Sequence, residues 1–126
     1  MATQHRATER TDSFAAADFL RAQACWLRDG LQRAEDPVSV RMVLRAHDAA
    51  HPAWCVLIGH VRSSDPGLAA KLDGLYAYHG RVAGALDRGR DPLLADATVR
   101  AVRALLADRL EAMTESVCTA LLLTEP

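Results

Sequence analysis

Apolar residues recur along this chain at steps of three and four, the spacing that places side chains on one face of an α-helix. The recurrence forms four rows: Leu20, Ala24, Leu27, Leu31 and Ala34; Val40, Leu44, His47, His51, Trp54, Ile58 and Val61; Leu68, Leu72, Leu75, His79, Val82 and Leu86; and Ala95, Val99, Val102, Leu106, Leu110, Met113, Val117 and Leu121. Phe19 and Trp26 are expected to widen the first row. No segment alternates with the period of two that indicates a strand. The pattern therefore predicts four helices, each with one apolar stripe.

An aspartate followed by proline precedes each of the last three rows: Asp36-Pro37, Asp65-Pro66 and Asp91-Pro92. The aspartate can cap the free N–H groups of a first helical turn, and proline fits the first helical position because no donor is needed there. The first helix is predicted to start at Asp12 or Ser13. Residues 1–12 are then expected to be a flexible segment, and residues 13–126 a single helical-bundle domain.

Only a few residues separate the predicted helices, and such short connections make successive helices antiparallel. Four amphipathic helices can bury their stripes only against one another, which predicts an all-α, up-and-down four-helix bundle. Helices of roughly 20 residues or more would each span about 30 Å at 1.5 Å per residue, so the bundle is expected to be elongated. Pro52 lies inside the second row, and a kink in that helix is expected near it because proline removes a backbone hydrogen bond.

Composition narrows the possible partners. The chain has 126 residues and a formal net charge of −1, so it lacks the basic excess with which proteins neutralise a phosphate backbone. A nucleic-acid partner is therefore not expected. We also find neither a secretory signal nor a membrane-spanning apolar run, which predicts a soluble, cytoplasmic protein. Cys25, Cys55 and Cys118 are far apart and show no metal-ligand spacing, so they are expected to be buried or partly buried thiols without chemistry.

Two tyrosines, Tyr76 and Tyr78, interrupt the third row. A turn of about 100° per residue places them on opposite margins of the stripe, so they are not expected to form one site together. Each ring can pack against a different neighbouring helix while its hydroxyl reaches a polar group or water. Packing at the boundary of the core is one interpretation of this pair, and contact with a partner is the other.

Histidines lie on the stripes themselves. His47 and His51 are four residues apart, a spacing used for metal ligation on helices. A di-metal bundle also needs inward glutamates three residues before histidines, and the chain has none. Hydrogen-bonded or partly exposed histidines are therefore expected, with no metal or cofactor. A metal-binding bundle using His47, His51, His60 and His79 is kept as an alternative.

Motifs of catalysis are missing from the sequence. It contains no Gly-rich phosphate loop and no nucleophile elbow, and no pair of carboxylates lies beside an obvious base. We predict that the protein is not an enzyme.

The third row and its neighbouring segments resemble a known family. The stretch "LAAKLDGLYAY", carried by Leu68, Ala69, Leu72, Leu75, Tyr76 and Tyr78, is similar to a pattern of the flagellin export chaperones, the FliS family. The stretch "LRAHDAAHPAWCVLIGHV" is similar to that family's second long helix. The resemblance covers mainly residues 40–115, and the N-terminal part diverges.

This resemblance implies a cytoplasmic, cofactor-free helical bundle that binds the carboxy-terminal segment of flagellin and keeps it from polymerising before export. It implies that Tyr76 and Tyr78 line the binding groove, while Leu72 and Leu75 support its floor or fill the core. A second hypothesis is a bundle that forms homodimers through the apolar residues 120–123.

Overall fold

The computed structural model describes residues 2–88 and 97–123, with side chains over residues 13–88 and 100–123. Its elements are α1 (Ala2–Gln32), α2 (Pro37–Ala49), α3 (His51–Ser64), α4 (Pro66–Arg88) and α5 (Ala97–Leu123). The described part of the chain contains no strand, which agrees with the period of the apolar rows. The prediction of an all-helical protein is confirmed.

Helix α1 begins at Ala2, so the predicted start at Asp12 or Ser13 is wrong. Residues 2–12 include alanine, glutamine, glutamate and arginine, which have high helix propensity. A helix can therefore begin before the first residue of its apolar stripe.

Two of the three predicted aspartate caps are present. The Asp36 carboxylate accepts hydrogen bonds from the Val38 N–H at 3.2 Å and from the Ser39 hydroxyl at 2.6 Å. These bonds lower the pKa of Asp36, the Ser39 bond most, because they stabilise its ionised form. Asp65 accepts from the Leu68 N–H at 3.1 Å at the start of α4. The third predicted cap, Asp91, lies outside the described residues.

The predicted second helix is divided at Ala50. The Ala50 N–H donates to the carbonyls of Ala46 and His47, and the Ala50 carbonyl accepts from the Trp54 N–H at 3.1 Å. Pro52 is thus the second residue of α3, a position where its missing N–H leaves no helical bond unmade. The apolar row continues through the division because each helix buries one face, with Val40 and Val43 buried in α2 and Trp54, Ile58 and Val61 buried in α3.

The core consists of two groups of buried side chains. The Trp54 cluster joins residues of α1, α3, α4 and α5 around Trp54, with Leu20, Leu72, Leu75 and Cys118 fully buried. The Leu86 cluster joins α1, α2, α4 and α5 around Leu86, with Leu27, Val40, Val82 and Leu110. Helix α2 therefore packs in the Leu86 cluster and α3 packs in the Trp54 cluster, while α4 contributes residues to both.

Some stripe positions are not buried. Trp26 and Val102 are 46% and 49% exposed, so the expectation that they belong to the core stripes is wrong. Trp26 follows Cys25 on the outer side of α1, away from the buried Leu20, Leu27 and Leu31. An apolar residue can fit the helical spacing and still be exposed, because the surface of a folded protein always contains some apolar area.

Helix α1 packs most extensively on α5. The Cys118 thiol donates to the Ala17 carbonyl, and the ion pairs Arg21–Glu115 and Arg28–Glu111 follow at 3.0 Å and 3.3 Å. Glu35, just after the end of α1, forms an ion pair with Arg103 of α5 at 3.5 Å. Along this contact, the residue numbers of the α5 partners therefore fall as the residue numbers in α1 rise.

Candidate functional site

The four residues predicted to contact a partner lie in different surroundings. Leu72 and Leu75 are fully buried in the Trp54 cluster, and Tyr78 is 8% exposed. Tyr76 is half-buried. The leucines therefore fill the core rather than line an open surface, and Tyr76 is the most accessible member of the set.

The two tyrosines face different helices, as their positions on opposite margins predict. The Tyr78 hydroxyl donates to the Leu106 carbonyl of α5 at 3.3 Å, and the Arg109 guanidinium carbon lies 5.6 Å from the Tyr78 ring centre. Burial raises the pKa of Tyr78, and the positive charges of Arg109 and Arg81 oppose that rise. Tyr78 thus ties α4 to α5.

Tyr76 packs on the opposite side, against α2 and α3. Its ring stacks on Trp54 with centroids 4.8 Å apart, and it contacts the rings of His51 at 5.7 Å and His47 at 5.9 Å. The Tyr76 hydroxyl and His51 Nδ1 are 2.5 Å apart, within hydrogen-bonding distance. Burial raises the pKa of Tyr76, with smaller contributions from Cys55 and Asp48.

His79 lies beneath this group and is fully buried. Its ring meets Trp54 at a centroid distance of 4.9 Å, and neither ring nitrogen has a hydrogen-bond partner among the described protein atoms. Burial, and secondarily His47, lowers the pKa of His79 to about 4. Burial also lowers the pKa of His47.

The histidines therefore differ in burial and hydrogen bonding. His51 is exposed and hydrogen-bonded, which agrees with the expectation of hydrogen-bonded or partly exposed histidines, but that expectation is wrong for His79. Its position in the centre of the α4 stripe could have indicated burial. Among the described residues, no three His, Cys, Asp or Glu side chains are grouped to hold a metal ion.

The cysteines also differ from expectation. Cys118 is buried, but Cys25 and Cys55 are exposed, so the prediction of buried or partly buried thiols is wrong for these two. Each directly precedes or follows a tryptophan, and one residue along a helix turns the side chain by about 100°. Cys55 is thereby turned outward although Trp54 is fully buried.

Two grooves run along the contact between α1 and α5. The smaller, of about 180 Å³, is lined by Ala24, Cys25, Ala107, Leu110 and Thr114 between the Arg21–Glu115 and Arg28–Glu111 pairs. The larger, of about 520 Å³, has Leu31, Ala104 and Ala107 between Arg28–Glu111 and Glu35–Arg103. Sequence reasoning missed both, although the small side chains of Ala24, Ala104 and Ala107 are the signal for space between two packed helices.

Within the described residues, none of the helices combines the length and the apolar character needed to cross a bilayer. Comparison of the chain with models of protein families, with curated proteins and with solved structures found no match.

Proposed function

We propose that this protein is a cytoplasmic binding module that holds an amphipathic segment of a filament-forming secreted protein. The carboxy-terminal segment of flagellin is the client implied by the resemblance of residues 68–78. Holding it would prevent polymerisation before export, and the proposal assigns no catalytic activity and no cofactor to the chain.

The larger groove between α1 and α5 is the observation that carries this proposal. Its lining includes the apolar side chains of Leu31, Ala104 and Ala107, together with charged side chains from both helices. An amphipathic helix binds such a groove by placing its apolar face on the floor and its polar side chains at the rims. The rim holds both signs of charge in Arg28, Glu35, Arg103 and Glu111, so a client can exchange ion pairs with it.

We also propose that the helices form an elongated, antiparallel, up-and-down bundle with a bend near Pro52. The order of the α1–α5 contacts, from Ala17 with Cys118 to Glu35 with Arg103, supports opposite directions for these two helices.

The residues predicted from the family pattern take a supporting part in this proposal. Leu72, Leu75 and Tyr78 hold α4 against the rest of the bundle, since all three are buried. Tyr76 retains enough exposure to touch a client directly. A rigid ring with one polar end is favoured at binding surfaces because it loses little entropy.

Calorimetric titration with the carboxy-terminal segment of flagellin tests the proposal. We expect one-to-one binding with a negative heat-capacity change, the sign of apolar burial. Ala104→Glu puts a carboxylate on the lining of the larger groove and should weaken binding by about ten-fold or more, since the apolar face of a bound client would have to remove that charge from water. Ala101→Glu, an exposed position on the same helix outside the groove lining, is the matched control and should bind normally.

The outcomes separate the parts of the proposal. Absence of binding at millimolar protein would overturn flagellin as the client. Binding that survives Ala104→Glu but is lost in Tyr76→Ala would place the client on α4 rather than in the groove. Helicity of each variant is checked by circular dichroism.

A second candidate function is self-association. Val102 and Leu105 lie within one turn of α5 and are 49% and 68% exposed, while Leu121 of the predicted 120–123 surface is in the core. Contiguous exposed apolar side chains favour association. Sedimentation equilibrium should then show a mass that rises with concentration and returns to the monomer in Leu105→Glu.

A further inference from the structure

Three histidines lie where the junction of α2 and α3 packs on α4. His47 is in the last turn of α2, and His51 is the first residue of α3. Their ring centroids lie 5.9 Å and 5.7 Å from that of Tyr76 on α4. One turn further along α4, the His79 ring meets Trp54 of α3 at 4.9 Å. The contact between α3 and α4 therefore contains imidazole rings, the side chains that bind protons near neutral pH.

The buried position of His79 suits only its neutral form. The side chain is fully buried, and neither ring nitrogen has a hydrogen-bond partner among the described protein atoms. Protonation would give the ring a positive charge and a second N–H donor, neither of them compensated. Burying an uncompensated charge is costly, so the ring binds a proton readily only when it reaches water. Close packing of α3 over His79 and protonation of His79 are therefore opposed.

The groups around His79 do not compensate a positive charge. His47 on α2 is the group whose charge acts on it, and that charge has the same sign. Asp48 favours the charged form of His47, and His51 opposes it. On α3, the Cys55 thiol lies beside His51, with Sγ 3.5 Å from Nε2. Among the described residues, those that α1 and α5 bury in the Trp54 cluster are uncharged: Ala17, Leu20, Val117, Cys118 and Leu121.

Helix α3 is bounded by single-residue junctions, where backbone rotation can separate it from its neighbours. Ala50 alone lies between α2 and α3, no side chain caps the first turn of α3, and Asp65 alone lies between α3 and α4. Helices α1 and α5 pack most extensively on each other, and the Arg21–Glu115 ion pair joins them at 3.0 Å. The hydrogen bond from Arg21 lowers the pKa of Glu115, so this pair persists in weak acid. Protonation of the imidazoles therefore acts on α3 and leaves the α1–α5 contact intact.

We propose that α3 is an acid-responsive helix: protonation of His79 releases α3 from α4, with Ala50 as the hinge, while α1 and α5 remain packed together. The proton comes from the solvent as the ring reaches water, and raising the pH removes it and lets α3 return. Release uncovers Trp54 and the stacked face of Tyr76, which are apolar surfaces. The proposal is independent of client binding, because the larger groove lies between α1 and α5.

The test is hydrogen–deuterium exchange of the full chain at pH 7.5 and pH 5, read by mass spectrometry and corrected for the pH dependence of intrinsic exchange. Amides in the middle of α3 should lose about thirty-fold in protection, because the pKa of His79 is about 4 for the packed ring and 6.5 for a ring in water. At pH 5 these amides should be about ten-fold or more less protected than those in the middle of α5, since α3 opens without global unfolding. Equal protection of the two helices at pH 5 would overturn the proposal, because the proton would then act only through global unfolding. This comparison needs no variant.

Two variants identify the group that binds the proton. His79→Leu fills the same place with a side chain that cannot be protonated, so it should lose most of the thirty-fold change and keep the part that His47 adds. His60→Gln changes an exposed histidine of α3 and should retain the full change. Circular dichroism at pH 5 checks that each variant is folded. An undiminished loss of α3 protection in folded His79→Leu would show that His79 is not the group responsible.

Discussion

His79 meets Trp54 inside the core with ring centroids 4.9 Å apart and ring planes inclined by 64°. Both side chains are fully buried, and neither the Trp54 Nε1 nor the two His79 nitrogens has a partner among the described protein atoms. Trp54 faces it from α3, and His47 on α2 is the titratable group that acts on its charge. The imidazole is consequently held uncharged by its surroundings.

Acid should destabilise the protein through His79. The pKa of its ring is about 4 in the folded protein against 6.5 ordinarily, so between these values the unfolded chain binds a proton that the folded chain does not. The free energy of unfolding therefore falls as pH falls through this window, by about 3 kcal/mol in total at about 1.4 kcal/mol for each pH unit. Above pH 6.5 the group should have no effect. Urea unfolding at several pH values measures this slope.

His79→Leu should flatten that slope, leaving a smaller part from His47, whose pKa is also lowered by burial. The variant should also be more stable than the parent at pH 5, since it removes two buried polar atoms without partners. His60→Gln changes an exposed histidine and serves as the control. An unchanged slope in His79→Leu would contradict the assignment to His79.

Gly30→Ala should destabilise the protein although alanine favours a helix. A Cβ at Gly30 would meet Val43 Cγ1 at 3.0 Å and Leu86 Cδ1 at 3.1 Å, and both neighbours are buried in the Leu86 cluster. Overpacking of about 1–3 kcal/mol exceeds the gain of up to about 1 kcal/mol from replacing a helical glycine. Gly74→Ala is the matched variant, since its Cβ would have nothing within 4 Å, and it should stabilise. Thermal unfolding of both variants distinguishes the two effects; equal shifts would show that the site at Gly30 relaxes.

Asp65→Ala should lower stability by about 1 kcal/mol, the usual effect of losing a cap at a helix start. Its carboxylate accepts from the Leu68 N–H at 3.1 Å. The next residue, Pro66, has no side-chain acceptor that could replace this bond. Asp65→Asn keeps an oxygen acceptor and should retain most of the stability. Denaturant midpoints compare the three proteins. A loss in Asp65→Asn as large as in Asp65→Ala would indicate that the charge, rather than the cap, is what matters.

The two tryptophans should respond very differently to truncation. Trp54 is fully buried, lies edge-on to Phe19 at 5.5 Å and stacks on Tyr76. Trp54→Ala should therefore cost about 3–5 kcal/mol, as for other large core side chains. Trp26→Ala, at a position that is 46% exposed, should cost less than about 1 kcal/mol. Similar losses from both would contradict the described burial, and urea unfolding at pH 7.5 measures them.

Local features of the sequence determined where most helices lie. A stripe at steps of three and four, such as Leu68 to Leu86, indicates a helix because it depends on the geometry of one helix alone. The starts at Asp36 and Asp65 were likewise predictable, since a cap joins residues two or three apart. The opposite directions of Tyr76 and Tyr78 follow from the same turn angle. The start of α1 was not predictable in this way, because the sequence of residues 2–12 shows no apolar stripe that would mark them.

Only the tertiary structure decided what each helix face meets. Which cysteine has a histidine beside it, which stripe residue stays exposed, and where α1 and α5 leave a groove depend on side chains distant in sequence, such as Arg21 with Glu115. His51 and Tyr76 are 25 positions apart, and no local period relates them. The burial of His79 without a partner has the same origin, since the desolvation of its ring results from Trp54 and the surrounding core rather than from its neighbours along α4.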